Sequence, residues 1–165
     1  MTVLKGANVT KFDAGGSGDN YIEDGYIKSV EKVWIDSYTA TAVALGTSDT
    51  IKIGRVPKNK KITDIIVHWP VAGGAADSLA TIFVGSASTV LATTANTYLG
   101  SLQQDGMAPG TTTFNIATVC TLRLSGNKFA TVTDKDVDIY LRVVQANKLP
   151  LVLTGWTLTT IIKYT

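Results

Sequence analysis

The chain has few of the residues on which enzymes and metal proteins most often depend. Among its 165 residues there is one histidine, His68, and one cysteine, Cys120. A single histidine excludes the usual pair of imidazole metal ligands and leaves any Ser-His arrangement dependent on one residue in an apolar stretch. The single cysteine cannot form a disulfide within the chain, and its apolar neighbours predict a buried structural thiol. We therefore expect no catalytic residues, no metal ion and no cofactor.

Charged residues are also few, which argues against partners that are bound mainly through charge, such as nucleic acids. Charged residues make up 17% of the chain and its formal net charge is +2, whereas hydrophobic residues make up 45%. That balance is typical of a folded domain and is too weakly basic for a nucleic-acid-binding surface. No apolar stretch is long enough to cross a bilayer, and the first residues lack the apolar region of a signal peptide. We expect no nucleic-acid or membrane partner and synthesis in a cytoplasm without secretion.

What the chain does have is alternation of apolar and polar residues. Between 136 and 143 every second residue is apolar, and a similar pattern returns between 156 and 164. A period of two places alternate side chains on opposite faces of a strand. Further short strands are predicted, separated by turn residues, together with a short helix within 93–105, where Tyr98, Leu99 and Leu102 have helical spacing. The predicted fold is an all-β, antiparallel β-sandwich of the jelly-roll-like kind. The predicted strands begin near 33 and cover 40–45, 50–56, 62–69, 78–85, 111–124, 128–133, 136–145 and 151–164.

Two domain regions follow from composition. Residues 1–28 are rich in glycine and show no steady hydrophobic period, which predicts an extended N-terminal arm. Such an arm cannot bury enough apolar area to fix itself, so it either remains mobile or lies on a neighbouring subunit. Residues 29–165 form the predicted β-sandwich domain. An acidic cluster in the arm, Asp19, Glu23 and Asp24, is either solvated or paired with basic groups of a neighbour.

Two groups of side chains allow a functional and a structural interpretation. The spacing of Asp134, Asp136 and Asp138 resembles part of a calcium loop, but the central glycine and distal glutamate of that loop are missing, so a polar strand edge is favoured. The three tryptophans, Trp34, Trp69 and Trp156, could stack on sugar rings if they were exposed. Because all three lie in predicted strands, packing in the core or at a subunit interface is favoured.

Five segments, taken in order, carry a resemblance to one class of proteins. They are TIKIGRVPKNKKITDIIVHW, SLATIFVG, the stretch from Tyr98 to Gly106, DVDIYLRVV and GWTLTTIIKYT. Together they resemble the small virion structural proteins of tailed bacteriophages, and the similarity covers roughly residues 29–165. The resemblance implies a role without catalysis on the phage particle, most often as a decoration or cement protein on the outer capsid.

The resemblance also implies partners and a location. The expected partner is the major capsid protein, the expected oligomer is a homotrimer, and the expected location is the exterior of the capsid after synthesis in the host cytoplasm. An alternative is a head-fibre or tail-associated module that recognises a host-surface glycan. Because the arm is the segment expected to lie on the capsid or on a neighbouring copy, the predicted contact residues are Lys5, Lys11, Phe12, Tyr21, Ile22 and Tyr26.

Overall fold

The protein is described from a computed structural model. It describes residues 3–5, 31–40, 46, 48–70, 79–87, 98–108, 111–124, 135–145 and 155–165. Within these ranges the chain forms ten strands and no helix. The strands are β1 (Val3–Lys5), β2 (Lys32–Thr39), β3 (Thr50–Val56), β4 (Ile62–Trp69), β5 (Leu79–Gly85), β6 (Tyr98–Gln104), β7 (Thr113–Asn115), β8 (Cys120–Leu124), β9 (Val137–Gln145) and β10 (Thr157–Tyr164).

The strands form one sheet in the order β1-β3-β9-β5-β6-β8-β4-β10-β2, with β7 paired to β5. Strand β6 pairs with β5 and with β8, so it joins two halves of the sheet. We call β1, β3, β9, β5 and β7 half A, and β8, β4, β10 and β2 half B. Of the nine pairings between described strands, eight are antiparallel and one, β1 with β3, is parallel. The predicted all-β, jelly-roll-like sandwich is confirmed, but its sheet is mixed rather than purely antiparallel.

The inner faces of the two halves enclose one hydrophobic core. In half A, Ile82 and Leu141 are completely buried, as are Leu122 and Leu158 in half B. These residues occupy the apolar positions of the alternating pattern, because successive side chains of a strand point to opposite faces. Burying each such side chain contributes roughly 1.5–3 kcal/mol before the entropy of folding is subtracted. The alternation in the sequence is therefore what closes the sandwich.

The tryptophans belong to this core. The indole of Trp69 packs against Trp156 and Phe114, each with ring centroids 5.0 Å apart, and its Nε1–H donates to the carbonyl of Ile116 at 3.0 Å. Trp34 and Trp156 are also buried. A buried indole with a partner for its N–H combines large apolar area with a satisfied donor. The prediction that the tryptophans pack in the core or at an interface is confirmed in favour of the core.

Half A and half B approach each other closely at Gly54. A Cβ atom at this position would lie 2.7 Å from Ile162 Cδ1 and 2.9 Å from Trp34 Cδ1. Carbon atoms in van der Waals contact are about 3.5–4.0 Å apart, so no side chain fits between β3 and half B here. Glycine at position 54 therefore allows the backbone of β3 to contact the side chains of β2 and β10 directly.

Three irregularities change which residues face the core. The register slips by one residue at Ile53 of β3, at Thr63 of β4 and at Leu99 of β6. An extra residue in a strand reverses the alternation beyond it. In β4 the slip places Ile62 and Ile65 on the same inner face although they are three residues apart, and Ile66 is buried on the other face.

The predicted helix within 93–105 is wrong for its described part. Residues Tyr98–Gln104 form strand β6 instead. The slip at Leu99 turns both Leu99 and Leu102 toward the core, so their spacing of three imitates one turn of a helix. The bulge, which a spacing argument cannot distinguish from a helical turn, explains the error.

Only a small part of the predicted arm lies within the described residues. Val3–Lys5 is strand β1, which pairs in parallel with Thr50–Lys52 of the same chain. Leu4 packs against the core, so this piece is fixed on its own domain rather than on a neighbouring subunit. Residues 6–30, and the predicted strands at 40–45 and 128–133 apart from Ala40, lie outside the described residues, so the boundary near 28 stays a prediction.

The corner that follows β3 is a tight turn tied to β9. The corner after β3 contains Asn59 with a φ of 60°, the left-handed conformation that asparagine tolerates better than most residues. The peptide N–H of Lys58 donates to Asp136 Oδ1 at 3.0 Å, which ties this corner to the start of β9. In the described ranges no helix is long and apolar enough to cross a bilayer.

Candidate interaction faces

The two outer faces of the sandwich carry the candidate functional residues. We call the outer face of half A face A; its charged members among the described residues are Lys5, Lys52, Arg55, Asp138 and Arg142, with Asp136 at its margin. We call the outer face of half B face B; its charged members are Asp64, Arg123 and Lys163, with Glu31 and Asp105 at its margins. The assignment follows from the register, because residues paired across strands share a face.

Lys5 is the one predicted contact residue within the described part of the chain. It is exposed at the end of β1 and lies opposite Lys52 of β3 in the parallel pairing. Because Leu4 of β1 packs against the core and successive side chains of a strand point to opposite faces, Lys5 points to face A. The other predicted contact residues, Lys11, Phe12, Tyr21, Ile22 and Tyr26, lie outside the described residues and stay predictions.

The charges of face A are arranged around Asp138. Arg55 donates from Nε to Asp138 Oδ1 at 2.6 Å and from Nη2 to Oδ2 at 3.2 Å, the two-bond geometry that guanidinium and carboxylate prefer. Lys52 Nζ lies 3.1 Å from Asp138 Oδ2, and the lysine side chain is only 6% exposed. One carboxylate thus neutralises part of the charge of two cations.

These contacts determine the protonation of Asp138. Burial disfavours the charged carboxylate, but hydrogen bonds from Arg55 and Lys52 and their positive charge outweigh it, so the pKa of Asp138 is lowered from its ordinary value. The carboxylate therefore stays ionised at neutral pH. Among the described residues, no group of three or more His, Cys, Asp or Glu side chains could hold a metal ion. Asp138 is part of an ion-pair cluster on β9, a strand that is paired with β3 and with β5. Asp134 lies outside the described residues, so the choice between a calcium loop and a polar strand edge stays a prediction.

Aromatic side chains accompany the cations on face A. Phe83 lies opposite Arg142 in the β5–β9 pairing, and Tyr140 lies opposite Gly85. The rings of Phe83 and Tyr98 have centroids 6.2 Å apart, and the Tyr98 hydroxyl is 2.7 Å from Ser101 Oγ. These three aromatic rings are half-buried. Face A therefore combines fixed positive charge with partly accessible aromatic surface.

The cations of face B are matched by carboxylates. Arg123 contacts Asp64 and Asp105, both at 3.1 Å, and is 51% exposed. Lys163 Nζ lies 3.4 Å from a carboxylate oxygen of Glu31. A hydrogen bond from Thr63 and the charge of Lys163 lower the pKa of Glu31 despite a small opposing effect of desolvation. Among the described residues of this face, the two cations Arg123 and Lys163 therefore contact three carboxylates.

The centre of face B is apolar and hydroxyl-rich. Ile35 is 53% exposed and lies in one row with Ile161 and Ile66, across β2, β10 and β4. The next row contains His68, which is exposed, with its Nδ1 3.2 Å from Thr121 Oγ1. The expectation that His68 is not a catalytic residue stays a prediction.

Cys120 lies on the opposite, inner side of the same strand pair. It is buried, and desolvation raises the pKa of its thiol to about 11. The thiolate is the reactive form of cysteine, so the thiol is unreactive at neutral pH. The predicted buried structural thiol is confirmed.

Comparisons with known proteins place the fold. No protein-family model matches the chain, and no curated protein matches it in sequence. A chain in the structure of the capsid of Ralstonia phage GP4 superimposes with a TM-score of 0.60 at 14% identity, covering 99% of this chain and 97% of that one. A chain in the capsid asymmetric unit of cyanophage Pam1 superimposes with a TM-score of 0.57 at 13% identity, covering 90% and 93%. The protein thus has the fold of chains found in two phage capsids.

Face A was only partly visible in the sequence. The alternation placed Asp136, Asp138, Tyr140 and Arg142 on one face, and the register confirms this for the three that lie in β9, Asp138, Tyr140 and Arg142. Lys52 and Arg55 are three residues apart and therefore did not appear to share a face with each other. The slip at Ile53 aligns them. A strand whose apolar residues break parity, as in TIKIGRV, is the signal that could have indicated it.

Proposed function

We propose that the protein is a bacteriophage virion structural protein without enzymatic activity, a decoration or cement protein that binds the outer capsid surface as a homotrimer and stabilises the head. The observation that supports this most is the fold, shared over nearly the full length with chains from two phage capsids. Likeness at 13–14% identity establishes the fold alone, so the role is tested by experiment.

The architecture suits such a role. A shell of capsid subunits becomes harder to disassemble when a further protein binds across subunit boundaries, because each added interface increases the free energy of disassembly. The sandwich has two outer faces over one hydrophobic core, and strands β1 and β2 lie at the two ends of the strand order. Cyclic symmetry would let three copies present the same face to a three-fold position of the shell.

The alternative, a fibre or tail module that binds a host glycan, depends on exposed aromatic side chains. Trp34, Trp69 and Trp156 are buried in the core and cannot stack on a sugar. The half-buried rings on face A are the described aromatics that a sugar could approach. The loops expected to form the rim of such a groove are 71–77 and 93–105. Residues 71–77 and 93–97 lie outside the described residues, and Tyr98–Gln104 form strand β6. We keep the glycan hypothesis as the second outcome of the test.

The test is co-sedimentation of the purified protein with capsids assembled without it. Saturable binding at a fixed ratio to the capsid subunits, with protection of the heads against heat or chelators, is the expected result. Light scattering of the free protein should give three times the chain mass of 17.5 kDa. Folded protein that remains in the supernatant would contradict the proposal, and binding to a glycan array would then support the alternative.

A further inference from the structure

We infer that the edge of β3 is a binding site for strand β1 of a neighbouring copy, so that assembled copies of the chain exchange this strand. In the single chain, β1 lies on its own β3. The inference rests on the homotrimer of the proposed function and names a contact that joins its copies. It is carried by the combination of a short parallel strand at one end of the strand order with the long interval, residues 6–30, that follows it.

The first argument is that the site on β3 requires an occupant. With β1 in place, the residues of β3 that pair with it, Thr50, Ile51 and Lys52, are only 0%, 1% and 5% exposed. Leu4 pairs with Ile51 and packs against the core. The edge of a sheet offers backbone groups and side-chain pockets to any strand that fits it. The sandwich therefore needs a β1, but the strand can come from another copy.

The second argument is that β1 is short and peripheral. It has three residues, of which Leu4 packs against the core and Lys5 makes a further polar interaction. Strand β2, at the other end of the strand order, pairs with β10 through eight residues. Short elements at the periphery of a fold open at a lower free energy than its central strands. Strand β1 can therefore leave its site while the rest of the sandwich stays folded.

The third argument is the length of chain that follows β1. Lys5 lies beside Lys52 of β3. Two residues further along β3, Gly54 lies against Trp34 of β2, so β1 and β2 are near each other in one molecule. Residues 6–30 separate the two strands, and 25 residues can span at most about 80 Å, whereas a folded domain of this length is about 40 Å across. The interval is therefore long enough to reach the same site on a neighbouring copy.

The fourth argument is that exchange loses no contact. The strand of a neighbour makes the same pairing with β3 as the strand of the chain itself, because the two strands are identical. When copies are held side by side, both strands are present at comparable effective concentrations. Each exchanged strand also links two copies, as in domain swapping, and this link favours exchange in the oligomer.

The test is disulfide trapping between two variants on separate chains. Val3 and Thr50 are Cα partners in the β1–β3 pairing, so cysteines at these positions are within the distance that a disulfide needs. Val3→Cys chains and Thr50→Cys chains are refolded together in equal amounts and oxidised with copper phenanthroline. After free thiols are blocked, the chains are separated under denaturing, non-reducing conditions. Random exchange predicts that about half of the Val3→Cys chains become linked to a Thr50→Cys chain.

Two controls identify disulfides that form by collision. The unmodified protein, whose cysteine is buried, should give no product of two chains. Val3→Cys mixed with Val119→Cys, at a position that is 66% exposed, should give little of it. Dilution by about tenfold before oxidation should leave the Val3–Thr50 product unchanged, because the two chains are already neighbours in one oligomer.

The same two substitutions in one chain give a direct comparison. Exchange should produce covalent products of two and three chains, whereas pairing of β1 with its own β3 should produce single chains with an internal disulfide. Unfolding midpoints of the reduced variants show whether each chain is folded. If Thr50→Cys does not fold, Lys5→Cys with Lys52→Cys makes the same comparison at the next outward-facing pair of the register.

The outcomes separate the two proposals. If light scattering gives a trimer but the double variant forms only internal disulfides, or none, the exchange inference is wrong and the proposed function stands. If the free protein is a single chain and only internal disulfides form, the proposed homotrimer fails and the inference fails with it. Trapped exchange in a protein that does not co-sediment with capsids would support the inference and contradict the proposed capsid role.

Discussion

Face A and face B are the outer faces of strands that alternate in the same way and cover the same core, yet their ion pairs are arranged differently. Face A places a nearly buried lysine and a two-bond arginine on one carboxylate. Face B places one half-exposed arginine between two carboxylates. The inner faces of a sandwich pack against each other, and many combinations of hydrophobic residues can form such a core. The outer faces are where two proteins of this fold can differ, so the charge arrangement there is the feature to alter by mutation.

The largest difference between the faces is expected on removing the central carboxylate of face A. Asp138→Asn keeps the shape but takes away the negative charge that Lys52 and Arg55 share. Breaking a buried ion pair from one side costs about 3–5 kcal/mol, and because Asp138 is 24% exposed we expect about 3 kcal/mol. Urea unfolding followed by circular dichroism measures the change.

The matched substitution on face B is Asp105→Asn. It removes a carboxylate from Arg123, but both side chains are about half exposed, at 48% and 51%. Exposed ion pairs contribute about 0–1 kcal/mol, so the loss should stay below about 1 kcal/mol. Equal losses for Asp138→Asn and Asp105→Asn would show that the two faces do not differ energetically.

A second prediction concerns the place where the two halves meet beneath these faces. Gly54→Ala introduces a Cβ only 2.7 Å from Ile162 Cδ1, and overpacking of this kind costs about 1–3 kcal/mol. Adding Ile162→Val removes the contacted methyl group, so the double variant should lose less stability than the sum of the single variants. Strict additivity in urea unfolding would contradict the close approach of the two halves at this point.

A third prediction uses pH to separate the faces. Because the folded-state pKa of Asp138 is lowered, its contribution to stability is complete above the ordinary carboxyl pKa of 3.8 and is lost as the pH falls through the folded-state value. The stability gap between the unmodified protein and Asp138→Asn should therefore be constant at neutral pH and shrink below about pH 4. A gap independent of pH down to about pH 2 would contradict the lowered pKa.

The smallest effect is expected at Cys120, on the inner side of half B. With its pKa raised to about 11, the thiol should not react with a thiol-specific disulfide reagent in the native protein near pH 8, and should react fully after denaturation. Rapid labelling of the native protein would show that half B opens at this strand.

The sequence predicted most of the strands and little of the registers. Alternation is written directly in the residues of β9 and β10, and the tight corner around Asn59 follows from local turn preferences. Bulges are determined by pairing with a distant strand. The broken parity of TIKIGRV could have indicated that β3 is irregular, but it does not locate the slip at Ile53, and the spacing around Leu99 fits a helical turn equally well. Because of the slip at Ile53, the sequence did not show that Lys52 and Arg55 share a face. The slip at Leu99 gave Leu99 and Leu102 a spacing that is typical of a helical turn. The parallel addition of β1 was likewise not predictable, because three residues carry too little pattern to specify a partner.

The distribution of aromatic residues also means that tryptophan fluorescence reports on one part of the molecule. Trp34, Trp69 and Trp156 all belong to half B or its entry, and they are buried, whereas the described aromatic rings of half A are tyrosine and phenylalanine. Indole emission shifts to longer wavelength when the ring enters water. Binding of a partner at an outer face should leave the tryptophan spectrum nearly unchanged, while opening of the sandwich should shift it. One fluorescence trace can thus distinguish a bound protein from a damaged one.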